Sequence, residues 1–270
     1  MLGRKEMEQL SNYRKSEIAD LAEFIAEEYC PDCMVMPEVI ADLSRVSYNY
    51  GDYQNYFDGI LEHESGDFHI FLNTCSVQYP ERLRFSFAHE LGHYFIDDHR
   101  NFLKKGNSLH KSYSSLLPKN IVETEADCFA SNLLAPPPRF ANFIHRKKFN
   151  FSVIESISKY FGISLSATLF RFVESGNYPI MVIYSKNNIV KFKWCSDSFP
   201  YKFLNCNSLQ KVPINTVASE YFADKTTYND AEIVFASDWF RSYEDIRKIQ
   251  LFEKCIYPTF NDTVISIIWE

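Results

Sequence analysis

The chain has 270 residues, 46% of them apolar and 16% aromatic, with a formal net charge of −7 from 28 Lys and Arg against 35 Asp and Glu. That much core material excludes disorder beyond the first dozen residues and a loop, and the length calls for two domains or one domain with a substantial extension. No run approaches the roughly 18 apolar residues of a membrane span, and the amino terminus lacks the apolar core of a secretory signal. With seven cysteines, an odd number spread over the chain, the simplest account is reduced thiols in a cytoplasmic protein that does not act at a membrane.

In chain order, Ile18, Leu21, Ala22, Ile25 and Ala26 predict an amphipathic helix over residues 16–29. Cys30 and Cys33 follow it, but no second close cysteine pair exists to complete a structural zinc site. A redox pair would be expected to open a helix, not to close one. A short helix after Pro37 is expected to bury Val39, Ile40 and Leu43. Residues 55–62 and 67–73 flank Ser65-Gly66 as a hairpin.

The next segment carries the chemistry. In His89-Glu90-Leu91-Gly92-His93, two imidazoles stand at i and i+4, so on a helix both face one point and can hold one metal ion. Glu90 falls beside that point, where a general base is needed. Apolar Phe85, Ala88, Leu91, Phe95 and Ile96 make the surrounding helix a buried one, in which three polar residues need a reason. Residues 97–120 are polar and read as a solvated loop long enough to act as a lid, with His99, His110 or Tyr113 as candidate oxyanion stabilisers.

A catalytic zinc usually takes three protein ligands. Residues 121–134 have helical apolar spacing, ended by Pro136-Pro137-Pro138, and put Glu123 and Asp127 one turn apart on one face with Glu125 on another. Glu123 is the candidate third ligand, and Asp127 the candidate acceptor for the free ring N–H of a ligating histidine. An acidic helix start favoured by the helix dipole is the competing account, which the upstream histidine pair outweighs.

Beyond the prolines, two short amphipathic segments meet at residues 161–164, with Gly162 in the turn and Ser164 as N-cap, in a helix-turn-helix-like pattern. Residues 139–174 hold six Lys or Arg against two Glu, yet the second segment carries only Arg171. Packing or partner recognition is therefore favoured over DNA contact. From residue 178 onward, apolar runs at 180–184, 189–194, 232–236 and 263–269 predict strands, the first two joined by an Asn187-Asn188 hairpin turn. No catalytic constellation is visible there; the region could sense a signal, grip a substrate or cap the domain before it.

The run from Arg84 to His93, preceded by residues 68–73, together with the run from Glu123 to Pro136, resembles the ImmA/IrrE-like zinc metallopeptidases over about residues 14–175. With the patterns above, the expected fold is α+β: a zincin-like metallopeptidase domain (1–138), where the resemblance lies, a helix-turn-helix-like helical segment (139–177) and a C-terminal α+β domain (178–270). The resemblance implies Zn2+ held by His89, His93 and Glu123, with Glu90 as catalytic base. It also implies that the strand at 68–73 borders the cleft and pairs with an extended substrate. The chain departs from the family at Asp127, usually Asn, and at Ala135, usually Met. By the same resemblance the expected activity is site-specific cleavage of a protein substrate, a helix-turn-helix repressor whose loss switches on a mobile-element or stress programme. An acidic enzyme suits such a basic target. The alternatives are a DNA- or partner-binding regulator that uses the zinc fold as scaffold, and the protease of a toxin or defence system.

Overall fold

The computed structural model describes residues 10–54, 56–76, 80–106, 120–175, 178–207, 209–258 and 262–270. They form a mixed α+β protein with two sheets, divided into two compact units: residues 1–145 with 155–167, and residues 146–154 with 168–270. Among the described residues no helix is long and apolar enough to cross a membrane, and all seven cysteines are free thiols.

In the first unit, α1 (Asn12–Tyr29) is capped by the Ser11 side chain, which accepts from the Arg14 amide, and it buries Ile18, Ala22, Ile25 and Ala26. Pro37 opens α2 (Pro37–Leu43), where Ile40 and Ala41 enter the core. Val39 and Leu43 stay exposed, contrary to the expectation, because a helix of two turns turns only one narrow face inward.

The predicted hairpin is β2 (Gly59–Glu64) and β3 (Asp67–Asn73), turning at Ser65 and Gly66 with positive φ at both residues, as a two-residue turn of this hand requires. A third strand was not expected. β1 (Ser47–Gly51) pairs parallel with β3, so the order is β1-β3-β2 and both edges of β3 are used. Residues 68–73 therefore have no free backbone edge to offer a substrate; among the described residues the open edge nearest the metal-site helix belongs to β2.

That helix is α3 (Pro80–Phe95). Residues 97–120 are not all loop: Asp97–Lys104 forms α4, amphipathic, with His99 and Leu103 buried. The Asn120 side chain accepts from the Glu123 amide and caps α5 (Ile121–Leu134). Gly92 lets α3 and α5 approach, since a Cβ there would stand 3.2 Å from the Phe129 side chain and 3.3 Å from the Ala126 backbone. The prolines end α5 and also begin α6 (Pro137–Ile144), whose first positions need no amide donor.

Helices α7 (Phe151–Phe161) and α8 (Leu165–Ser175) are joined through Gly162 at φ +62°, and Ser164 accepts from the Ala167 amide. Of the local cations, Arg139 is tied to Glu27 and two backbone carbonyls, and Arg171 to Glu174.

The second unit is built on a five-stranded antiparallel sheet, β4 (Ile180–Lys186), β5 (Ile189–Cys195), β6 (Glu232–Phe235), β7 (Gln250–Ile256) and β8 (Thr263–Trp269), in the order β5-β4-β8-β7-β6. Asn187 and Asn188 both take positive φ in the β4–β5 turn. Helices α9 (Val217–Asp224) and α10 (Ala236–Trp239), like β7, lie outside the sequence expectations. Fully buried Glu253 on β7 receives the amides of Val217 and Ala218 at 2.9 and 3.2 Å and the Trp239 indole N–H at 2.8 Å, so one carboxylate ties α9 and α10 to the sheet.

Candidate metal centre

On α3, His89, Glu90 and His93 are all buried, and α5 brings buried Glu123 against them. His89 Nε2 and His93 Nε2 stand 3.2 Å apart, His89 Nε2 lies 3.3 Å from Glu123 Oε2, and His93 Nε2 lies 3.5 Å from Glu123 Oε1. Three ligand atoms of a tetrahedral ion with bonds near 2.0–2.1 Å would lie roughly 3.3–3.4 Å apart, so the spacing fits a small divalent cation.

Hydrogen bonds behind the histidines decide which nitrogen each turns toward Glu123. Asp127 Oδ1 lies 2.9 Å from His89 Nδ1, one turn along α5 from Glu123, and takes its N–H. Behind His93 runs a longer chain. Arg14 of α1 donates to both oxygens of Glu125 at 2.9 and 3.0 Å, and Glu125 Oε2 lies 2.9 Å from His99 Nε2. A carboxylate facing Arg14 can only accept, so His99 Nε2 carries the proton there. His99 Nδ1 is then an acceptor, 3.1 Å from His93 Nδ1, and receives the N–H of His93. Both ligand histidines are thereby held with a proton on Nδ1, so that Nε2 is the atom each turns toward Glu123. Two imidazole nitrogens and a carboxylate converging in a buried space call for a positive charge, a proton or a metal ion.

The electrostatics agree. Burial alone would raise the Glu123 carboxyl, but its bonds to His89 and His93 outweigh that and hold it well below the usual carboxylate range. Burial works against charge on His89, yet Asp127 and Glu123 on its two nitrogens outweigh it and push it up to about 9. His93 is pulled down by burial, and His99 is brought to about 4 by burial and by its neighbour His93.

Without a metal, then, the site takes up one proton near neutral pH, centred on His89. That proton contributes stability that is fully present below the ordinary histidine value of 6.5 and is lost as pH rises through about 9. A bound cation must displace it. Metal affinity is therefore expected to rise about tenfold per pH unit between pH 7 and 9, with close to one proton released per ion. Calorimetry in buffers of different ionisation enthalpy reads this directly, and an affinity flat over that range would contradict the assignment.

Glu90 owes its place to a residue that sequence reasoning missed. A Cβ on Gly59, at the start of β2, would stand 2.8 Å from Glu90 Oε1 and 3.0 Å from its Cγ, so only glycine leaves the carboxylate its room. Of the proposed oxyanion donors, His110 and Tyr113 lie outside the described residues. His99 does not serve in that role: both its nitrogens are engaged, and it sits behind His93, on the side away from Nε2. Arg14 and Glu125 carried no sequence signal, because the partners that give them meaning come from other helices.

A buried His-His-Glu cluster on two packed helices, with a carboxylate adjoining it, is a donor set that could hold one metal ion. Residues 51–173 match the model of the Peptidase M78 family, described as the IrrE N-terminal-like domain. The chain is 28% identical over 128 residues to the radiation response metalloprotease IrrE of Deinococcus radiodurans, a match over 47% of this chain and 36% of that one. The chain thus spans about a third of the length of that curated relative. Among solved structures it shares its fold with a Mycobacterium tuberculosis transcriptional regulator, at a TM-score of 0.59 and 13% identity over 96% of this chain and 78% of that chain.

Proposed function

We propose that the chain is a zincin-like, zinc-dependent, site-specific endopeptidase of the cytoplasm. The observation that carries this reading is the convergence of His89, His93 and Glu123, with ligand atoms all within 4.8 Å of one another, beside buried Glu90. Zinc bound there would supply a Lewis acid for a peptide carbonyl and bring the pKa of water near neutrality. Glu90 takes the proton of the attacking water and later returns it to the leaving amine. Asp127 and His99 keep the two imidazoles in the tautomer that presents Nε2. The open edge of β2, which begins at Gly59 against Glu90, is the edge on which an extended substrate would add as a further strand.

The substrate we favour is a helix-turn-helix repressor. Support comes from the resemblance to repressor-cleaving metallopeptidases and from the fit of a chain at −7 to a basic target. The test uses the purified full chain, zinc content by mass spectrometry, and candidate repressors encoded beside its gene. One zinc per chain with a single discrete cleavage, abolished by a chelator and restored by zinc, is the expected result. Zinc-free protein that refuses added metal, or tight sequence-selective DNA binding with no cleavage of any candidate, would overturn the reading in favour of a regulator.

A further inference from the structure

The second unit holds a cavity of about 950 Å³ whose lining carries four cationic side chains and no carboxylate: Lys191, Lys193, Lys202 and Arg241. In a chain with a net charge of −7 this concentration is unexpected. Lysines commonly guard the open edge of a sheet, and β5 is an edge strand, which accounts for Lys191. It does not account for the others. Lys193 is paired in register with Ile183, a core residue, yet is itself exposed, so it carries its charge at the rim of the core-facing side of β5. Lys202 and Arg241 come from outside the sheet strands and line the same space.

These charges are held in place without being neutralised. Lys193 donates to the Lys202 carbonyl, Lys202 to the Ser196 carbonyl at 2.8 Å, and Arg241 to the Cys206 carbonyl. Among the described residues none of the four has a carboxylate within ion-pair distance; Glu244 and Glu270, the acidic groups felt by Tyr201, pair with none of them. Neutral carbonyls fix the direction of a cation but leave its charge available to an anion. The remaining wall is aromatic: Phe192, Tyr201, Phe203 and Tyr243, with Phe203 and Tyr243 strongly exposed. Exposed rings beside uncompensated cations suit a ligand that is flat at one end and anionic at the other. The volume lies within the range of small-molecule sites.

We propose that this cavity binds a nucleoside phosphate, its base against the aromatic wall and its phosphates on the Lys193, Lys202 and Arg241 side. The inference is independent of the peptidase reading, since it uses no residue of the metal centre.

The test is isothermal titration of the full chain with ATP, GTP, adenosine, guanosine, inorganic tripolyphosphate and a dodecathymidylate strand. At least one of the two nucleotides is expected to bind about tenfold more tightly than its nucleoside or tripolyphosphate, because both halves of the cavity are used. Lys191→Glu and Lys202→Gln are each expected to weaken that binding about tenfold. Lys191 is exposed and has no partner in the β4–β5 register, so its variant probes charge without disturbing the sheet. Preference for dodecathymidylate over both nucleotides, with the same sensitivity to Lys191→Glu, would place the nucleoside phosphate within a strand and keep the assignment. Binding no tighter than tripolyphosphate, binding unchanged in both variants, or no binding at all would overturn it.

Discussion

Glu90→Gln is expected to bind as much zinc as the wild type and to cleave substrate about a thousandfold more slowly. The amide keeps the size of the side chain but cannot accept a proton from water, while the three ligand side chains stay as they are. A stricter version is Gly59→Ala, which alters neither the base nor any ligand. The added Cβ would stand 2.8 Å from Glu90 Oε1 and must displace a carboxylate that is almost wholly buried. A shift of the order of 1 Å at a reacting group costs about a hundredfold. The expected pattern is therefore full metal content in both variants and a loss of kcat in both, larger for Glu90→Gln. Metal per chain and initial cleavage rates measured on the same preparations read both halves. Wild-type proteolysis by Glu90→Gln would remove Glu90 from the chemistry, and full activity in Gly59→Ala would show that the carboxylate has more freedom than the packing indicates.

The two residues were unequally legible in the sequence, and the reason is physical. Glu90 belongs to a local pattern: helical spacing alone carries His89 and His93 to one point and Glu90 beside it. Glu123 with Asp127 is readable for the same reason, since residues four apart on a helix share a face. Gly59 is meaningful only once β2 lies against α3, and no local rule relates residue 59 to residue 90. The same distinction runs through the fold. The turns at Ser65-Gly66 and Asn187-Asn188 announce themselves through residues that tolerate positive φ. β1, with the sequence Ser-Tyr-Asn-Tyr-Gly, lacks a clear alternation of apolar residues, and its pairing with β3 is long-range. The resemblance put residues 68–73 beside the substrate, and only the long-range pairing with β1 shows that they are central.

β7 was hidden by its own chemistry. Glu253 and Lys254 put two charges in the middle of residues 250–256 and interrupt its apolar run, yet Glu253 is fully buried and satisfied by two helix amides and an indole. A buried carboxylate is tolerable only with such partners, and those partners come from residues 217, 218 and 239. In each case what sequence spacing could not supply was a partner contributed by a distant element.

The chain behind His93 is the most demanding instance, and it carries the last expectation. His93→Ala should abolish metal binding by removing a ligand, whereas His99→Ala should lower zinc affinity by roughly 10–100-fold although His99 touches no metal. His99 is what makes His93 an Nδ1–H tautomer: without it, the Nδ1 proton loses its acceptor and the proton can sit on Nε2, where it competes with the ion. Arg14→Ala should give a smaller loss in the same direction, since it frees Glu125 and so loosens the N–H···O bond that orients His99. His99→Gln separates this account from simple loss of packing. A glutamine amide can donate to Glu125 through its nitrogen and accept from His93 through its oxygen, so it should recover much of the affinity lost in His99→Ala. Competition against a zinc chelator of known strength measures all four variants on one scale. Affinity in His99→Ala within twofold of the wild type would show that His93 keeps its tautomer unaided. Equal losses in His99→Ala and His99→Gln would assign the effect to the shape of the imidazole and not to the proton it holds in place.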